Sequence, residues 1–208
     1  SEMCIRDSGM AELMSDEEDP TLLAKTYFPR LLFLVGSHEM DSNNTIVLGS
    51  AENGIQINLL GVTYFDRETS CSSITGTMIH EFAHILDGNI AVPIEYDLIT
   101  KDGYIGDSYT SAPNDYLEHG FLSNYARSSP AEDIAVTTAA LVGETPEWWE
   151  NTLNSIQSSE ARAQIEKKRD MIISWLKNEF SIDVYKWRDT YQDRLNRLDE
   201  IDWDNLED

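Results

Sequence analysis

The spacing of hydrophobic and polar positions changes along the chain, from strand-like in the first third to helix-like beyond it. Leu31–Val35 (LLFLV) is a short, continuous apolar run between Pro29 and Gly36, the pattern of a buried strand. Thr45–Leu48 is a second β-rich run. Glu52-Asn53-Gly54 then supplies a turn, after which Ile55, Ile57 and Leu59 alternate with Gln56 and Asn58, predicting a hairpin with one buried face. From Ser73 to Leu86 the spacing is helical, with Ile74, Met78, Phe82, Ile85 and Leu86 on one broad apolar face and Gly88-Asn89 as a cap. Ala91–Asn124 is rich in Gly, Asp, Ser, Tyr and Pro and keeps no period, as expected of a functional loop or of short irregular turns. Ser129-Pro130 opens a helix to about Val142. From Pro146 onward two apolar stripes follow: Ile165, Ile172, Trp175, Leu176 and Phe180, then Val184, Trp187, Tyr191, Leu195 and Leu198. Strands first and helices afterwards predict an α+β fold.

Composition narrows the possible partners. The chain has 208 residues, 41% of them hydrophobic and 10% aromatic, enough for a real core. A net charge of −23 excludes nucleic acid and disfavours anionic lipid, because phosphate binding needs clustered Lys and Arg. No apolar run approaches the length of a membrane span, so no transmembrane segment is expected. Cys4 and Cys71 form no CxxC, so no thiolate metal site is expected. Ser1–Ser8 (SEMCIRDS) reads as non-native translated adapter sequence, and Glu12–Asp19 as an acidic loop or frayed helix end. The expected organisation is an N-terminally truncated core over 9–145 and a helical subdomain over 146–208. Trp148, Trp149, Trp175 and Trp187 are expected to pack those helices, with Trp148-Trp149 also placed to line a cleft.

The chemistry is concentrated in His80-Glu81-Phe82-Ala83-His84, an HExxH on a predicted helix. Residues four apart share a helix face, so both imidazoles can reach one zinc ion. Glu81, beside the first ligand, can take a proton from an attacking water. Catalytic zinc takes three protein ligands, and the third must come from downstream. A metzincin would need glycine at position 87 and histidine at 90; the chain has Asp87 and Ile90. Glu132, Asp133 and His119 are the candidates. Glu132 lies in the first turn of the second helix, where Ser129-Pro130-Ala131-Glu132 also fits the capping box S-x-x-E. Spacing alone leaves ligand and cap open. Asp87 and Asp133 are the candidates for supporting a histidine through its other ring nitrogen, and His38 and His119 otherwise read as loop histidines.

Ile79–Asp87 (IHEFAHILD) and Gly120–Ala135 (GFLSNYARSSPAEDIA), with Leu34–Leu60 and the helix from Ile182 to Leu198, resemble the zinc-binding metallopeptidase lipoprotein family associated with outer-membrane nutrient import. The resemblance covers roughly residues 25–200. The Tyr-x6-Glu spacing of Tyr125 and Glu132 resembles gluzincins of the anthrax lethal factor type. This resemblance implies His80, His84 and Glu132 as zinc ligands, Glu81 as general base and Tyr125 as donor to the substrate carbonyl. Related sequences often carry a second acid four residues after the ligand, where this chain has Val136. The resemblance also implies an extracytoplasmic setting, as an outer-membrane lipoprotein or in the periplasm, beside import proteins. The resulting expectation is a zincin-like domain: a small antiparallel sheet packed on the HExxH helix, a helical C-terminal portion closing the site, and Ile55–Leu60 as an edge for an extended peptide substrate. The competing expectations are a non-catalytic, zinc-containing binding module associated with nutrient import and a hydrolase of non-peptide amides.

Overall fold

The computed structural model describes residues 26–42, 44–52, 56–64 and 67–197, without the side chains of residue 52 and of 67–71. The readings of Ser1–Ser8, Glu12–Asp19, Cys4, the Asn53-Gly54 turn, Ile55 and Leu198 therefore lie outside it, as does the Cys71 side chain.

Among the described residues, five strands precede the long helix that carries HExxH: β1 (Leu31–Val35), β2 (Glu39–Met40), β3 (Ile46–Val47), β4 (Gly49–Glu52) and β5 (Gln56–Leu60). The alternation read in β5 is physical. Ile57 and Leu59 are fully buried, whereas on the other face Gln56 Nε2 donates to Asn58 Oδ1 (2.6 Å) and Asn58 Nδ2 to Ser50 Oγ (2.9 Å). The expected hairpin is present, with Glu52 opposite Gln56 and Gly49 opposite Leu59, but its first strand is Gly49–Glu52 and not the Thr45–Leu48 run, whose Ile46–Val47 pairs with β2. The sheet itself differs from the antiparallel one expected. Its order is β1-β5-β4, and β1 joins β5 in parallel, Leu31 opposite Gln56. It is a mixed sheet, because the chain leaves β1, forms the antiparallel β2–β3 ribbon and β4, and re-enters through β5 in the direction of β1. The stretch expected as a substrate edge, Ile55–Leu60, is described from Gln56 onward, and there it is no edge, since β5 lies between two partners; the edge beside the HExxH helix is β4.

Helix α1 (Arg67–Asn89) starts earlier than its apolar period, because Thr69, Ser70, Ser72 and Ser73 carry no hydrophobic signal. Met78, Ile79, Phe82, Ala83, Ile85 and Leu86 form its buried side. Gly88 is an ordinary helical residue, and the end is closed by side chains: Asn89 Nδ2 donates to Ile85 O (2.7 Å), and Asp87 Oδ1 accepts from Val92 N–H (2.8 Å). The unpatterned stretch after it holds α2 (Glu95–Ile99) and short 3₁₀ turns at 101–103, 106–111, 116–119 and 125–127.

Four further helices follow among the described residues: α3 (Pro130–Gly143), α4 (Pro146–Ser155), α5 (Ser159–Phe180) and α6 (Val184–Asn196). Helix α3 packs on α1 and, from its other side, on α5 and α6. One apolar cluster runs through these helices and β5, and Phe82, Trp187, Trp175 and Tyr191 are among its large members. The tryptophans pack as expected. Trp175 Nε1 donates to Ile90 O (2.9 Å), Trp149 Nε1 to Ala140 O (3.2 Å), and Trp148 stands edge-on to Trp149. Among the described residues no helix is long and apolar enough to cross a membrane.

Candidate metal centre

Helix periodicity places His80 and His84 on one face of α1, and the packing of α3 across that face brings Glu132 to them. His80 Nε2 lies 3.0 Å from Glu132 Oε2, His84 Nε2 lies 3.4 Å from the same oxygen, and the two Nε2 atoms are 3.2 Å apart. Among the described residues this is the one group of three metal-ligating side chains whose donor atoms converge. Three donors held about 2.0–2.1 Å from a shared tetrahedral ion are about 3.3 Å from one another. The three observed separations bracket that value, and two imidazoles with one carboxylate are a known donor set for catalytic zinc. These residues fit a zinc ion.

The start of α3 distinguishes the two readings of Glu132. Its backbone N–H donates to Ser129 Oγ (3.2 Å), half of a capping box. Its carboxylate does not close the other half: it is turned to the histidines. Burial alone would raise this carboxyl, but hydrogen bonds to His80 and His84 and their charge outweigh burial and hold it well below the ordinary range. Burial by itself would lower the His84 imidazole, yet the hydrogen bond and charge of Glu132, with Glu81 and Asp87 adding their fields, raise it.

Glu81 is buried beside this group without belonging to it. Burial pushes its carboxyl up against the pull of His80 and His84. Strand β4 lies directly over it, and the Ala51 N–H hydrogen-bonds to its carboxylate. Gly49 makes that approach possible, since a Cβ there would stand 2.7 Å from Thr77 Cγ2 and 3.2 Å from Glu81 Cγ. An isolated glycine in a β-rich run is the sequence sign of close backbone approach; Gly49 carries that sign, and the spacing of apolar residues passes over it.

Tyr125 sits half-exposed at the mouth, its ring 5.9 Å from His80 and edge-on to Tyr109 at 5.3 Å. Burial raises its phenol well above the ordinary value, and the adjacent Glu132 carboxylate pushes the same way. The remaining candidates go elsewhere. Asp87 closes the end of α1 and reaches His84 through its field. Asp133 turns away from both histidines: Oδ2 lies 2.6 Å from Lys168 Nζ and accepts from Tyr104 OH at 2.9 Å. Burial pushes Asp133 up to about 6 and Lys168 down, each opposed by the charge of the other. His119 pairs with Asp115 at 3.4 Å on the surface, and His38 stacks on Tyr64. Neither joins the cluster.

No curated protein matches the chain. A solved structure described as "a putative zinc-binding metallo-peptidase from Bacteroides caccae" superposes with a TM-score of 0.75 at 22% identity, over 98% of this chain and 76% of that one. At that identity the likeness establishes the fold. A family profile described as "Putative zinc-binding metallo-peptidase" matches residues 5–185, and the chain belongs to that family.

Proposed function

We propose that the protein is a gluzincin-type zinc peptidase in which His80, His84 and Glu132 hold the metal, Glu81 is the general base and Tyr125 stabilises the developing oxyanion. The observation that carries this reading is the position of Glu81, a buried carboxylate next to the donor cluster yet outside it, under the β4 edge, which pairs with no further strand among the described residues. A site built only to hold a metal has no use for a base there. Bound zinc would supply Lewis-acid polarisation of the scissile carbonyl and acidify water. Glu81 takes a proton from the attacking water as its oxygen bonds to the carbonyl carbon, then delivers it to the nitrogen as the C–N bond breaks. Apart from the Ala51 N–H that Glu81 holds, the β4 edge keeps backbone groups to which an extended peptide can add as a further strand, and this supports a peptide over other amides. The resemblance noted in the sequence supports an extracytoplasmic setting beside outer-membrane import proteins.

Zinc-loaded protein incubated with a mixed peptide library tests the reading. The expected result is internal cleavage that stops on chelation and returns with zinc. Tight zinc binding with every peptide intact would favour the binding module.

The two roles at the start of α3 separate by mutation. Ser129→Ala should cost about 0.5–2 kcal/mol of stability through loss of the cap while zinc affinity holds. Glu132→Ala keeps the backbone N–H that bonds Ser129, so it should keep the cap and lose more than about 100-fold in zinc affinity, beyond the range of an outer partner. Asp133→Ala or His119→Ala should affect zinc less. Metal titrations read beside melting curves check this, and full zinc occupancy in Glu132→Ala would remove that residue from the site.

A further inference from the structure

Helix α5 carries a lysine where its apolar stripe calls for a hydrophobe. Lys168 is three residues after Ile165 and four before Ile172, both buried, and its own side chain is 2% exposed. Its ammonium lies 2.6 Å from Asp133 Oδ2, donates to Gly120 O (2.9 Å) and stands 3.8 Å from the centroid of the Phe121 ring. A buried charge pair gains little stability over apolar residues of similar volume, whereas a half-broken one is strongly destabilising. Stability alone gives this arrangement no advantage.

Its partners suggest what it does. Asp133 is the residue after Glu132, about a quarter-turn around α3, so Glu132 faces the histidines while Asp133 faces α5. The carbonyl that Lys168 holds belongs to Gly120, at the head of the loop leading to Tyr125. Gly120 has φ of +81°, and a Cβ there would meet Gln164 Oε1 at 2.5 Å, so this loop is seated tightly on α5. One ammonium thus ties to α5 both segments that reach the metal centre from outside α1.

We propose that Lys168 is a positioning residue of the metal centre: through Asp133 it fixes the rotation of the first turn of α3, and so the place of the Glu132 carboxylate. Side-chain ends lie about 5–6 Å from a helix axis, so a rotation of about 10° carries a carboxylate about 1 Å. Metal–ligand distances tolerate about 0.2 Å. Tyr104, donating to the same Asp133 oxygen, and Tyr96 OH, donating to Asp133 O at 3.3 Å, hold the turn from its other sides.

This rests on the metal centre proposed above, and the test separates the two. The Lys168→Met/Asp133→Leu double variant replaces the pair with apolar residues and leaves no orphaned charge. The measurements are zinc affinity by chelator competition, the visible spectrum of the cobalt-substituted protein, and the melting temperature of the metal-free form. The expected result is a metal-free melting temperature near that of wild type, an altered cobalt spectrum and a zinc Kd raised about 10–100-fold. A purely structural pair predicts zinc affinity within about threefold of wild type in a folded variant, against that outer-partner range, and this result would overturn the proposal. If the double variant does not fold, Lys168→Met/Asp133→Asn, which leaves no buried charge and keeps the size of residue 133 and an acceptor for Tyr104, carries the same comparison with the same two outcomes. Wild-type protein that takes up no zinc, or His80→Ala that binds it as tightly as wild type, would overturn the metal centre itself.

Discussion

Glu81→Gln is expected to lower kcat by roughly 10²–10⁴-fold, the usual worth of a positioned general base, while the protein still binds one zinc. The change removes a proton acceptor and almost nothing else. Glutamine has the same shape, and its amide oxygen can still accept the Ala51 N–H. Glu81 is not among the converging donors, so metal binding does not depend on it. Substrate contacts through the β4 edge and Tyr125 also remain, so KM should move little. Steady-state kinetics beside metal analysis checks the pair of outcomes, and a variant that kept most of its turnover would contradict the proposed chemistry.

The second large effect belongs to Tyr125. A phenol whose burial and carboxylate neighbour keep it protonated retains its O–H to donate near neutral pH. Aimed at a carbonyl oxygen acquiring charge, such a donor acts mainly in the transition state, so its loss should fall on kcat more than on KM. Tyr125→Phe should reduce kcat about 10²–10³-fold, by analogy with other oxyanion donors. Phenylalanine keeps the ring that packs against Tyr109 and His80, so folding and zinc content should hardly change. If Tyr125 only fills space, kcat at matched zinc content stays within about threefold, which leaves no room for a donor of this size.

Local periodicity made much of this protein legible. The face of α1 that buries Met78, Phe82 and Leu86 follows from spacing, and the same spacing sets His80 and His84 side by side. The start of α3 is legible for the same reason, since Ser129-Pro130 is cap chemistry within one turn. What spacing could not supply was long-range. LLFLV shows that β1 is apolar, and nothing in it shows that its partner is β5 in parallel. Whether Glu132 closes a cap or meets two histidines depends on how α3 crosses α1, because S-x-x-E is the same string in both cases. Asp133 is a candidate partner for a histidine's other ring nitrogen by residue type, yet next to Glu132 on a helix it points elsewhere, to Lys168 and Tyr104. Lys168 left a readable sign, a charge in the middle of the Ile165–Ile172 stripe, whose meaning depends on a partner thirty-five positions away.

Two residues of α1 and one of α3 should hold a single zinc ion. An anomalous difference map at the zinc edge, from crystals of zinc-loaded protein, measures this without recourse to activity. One strong peak is expected within about 2.0–2.2 Å of His80 Nε2, His84 Nε2 and a Glu132 carboxylate oxygen, with Glu81 outside the ligand set. A peak bound by other residues, or none between α1 and α3 in zinc-loaded crystals, would contradict it.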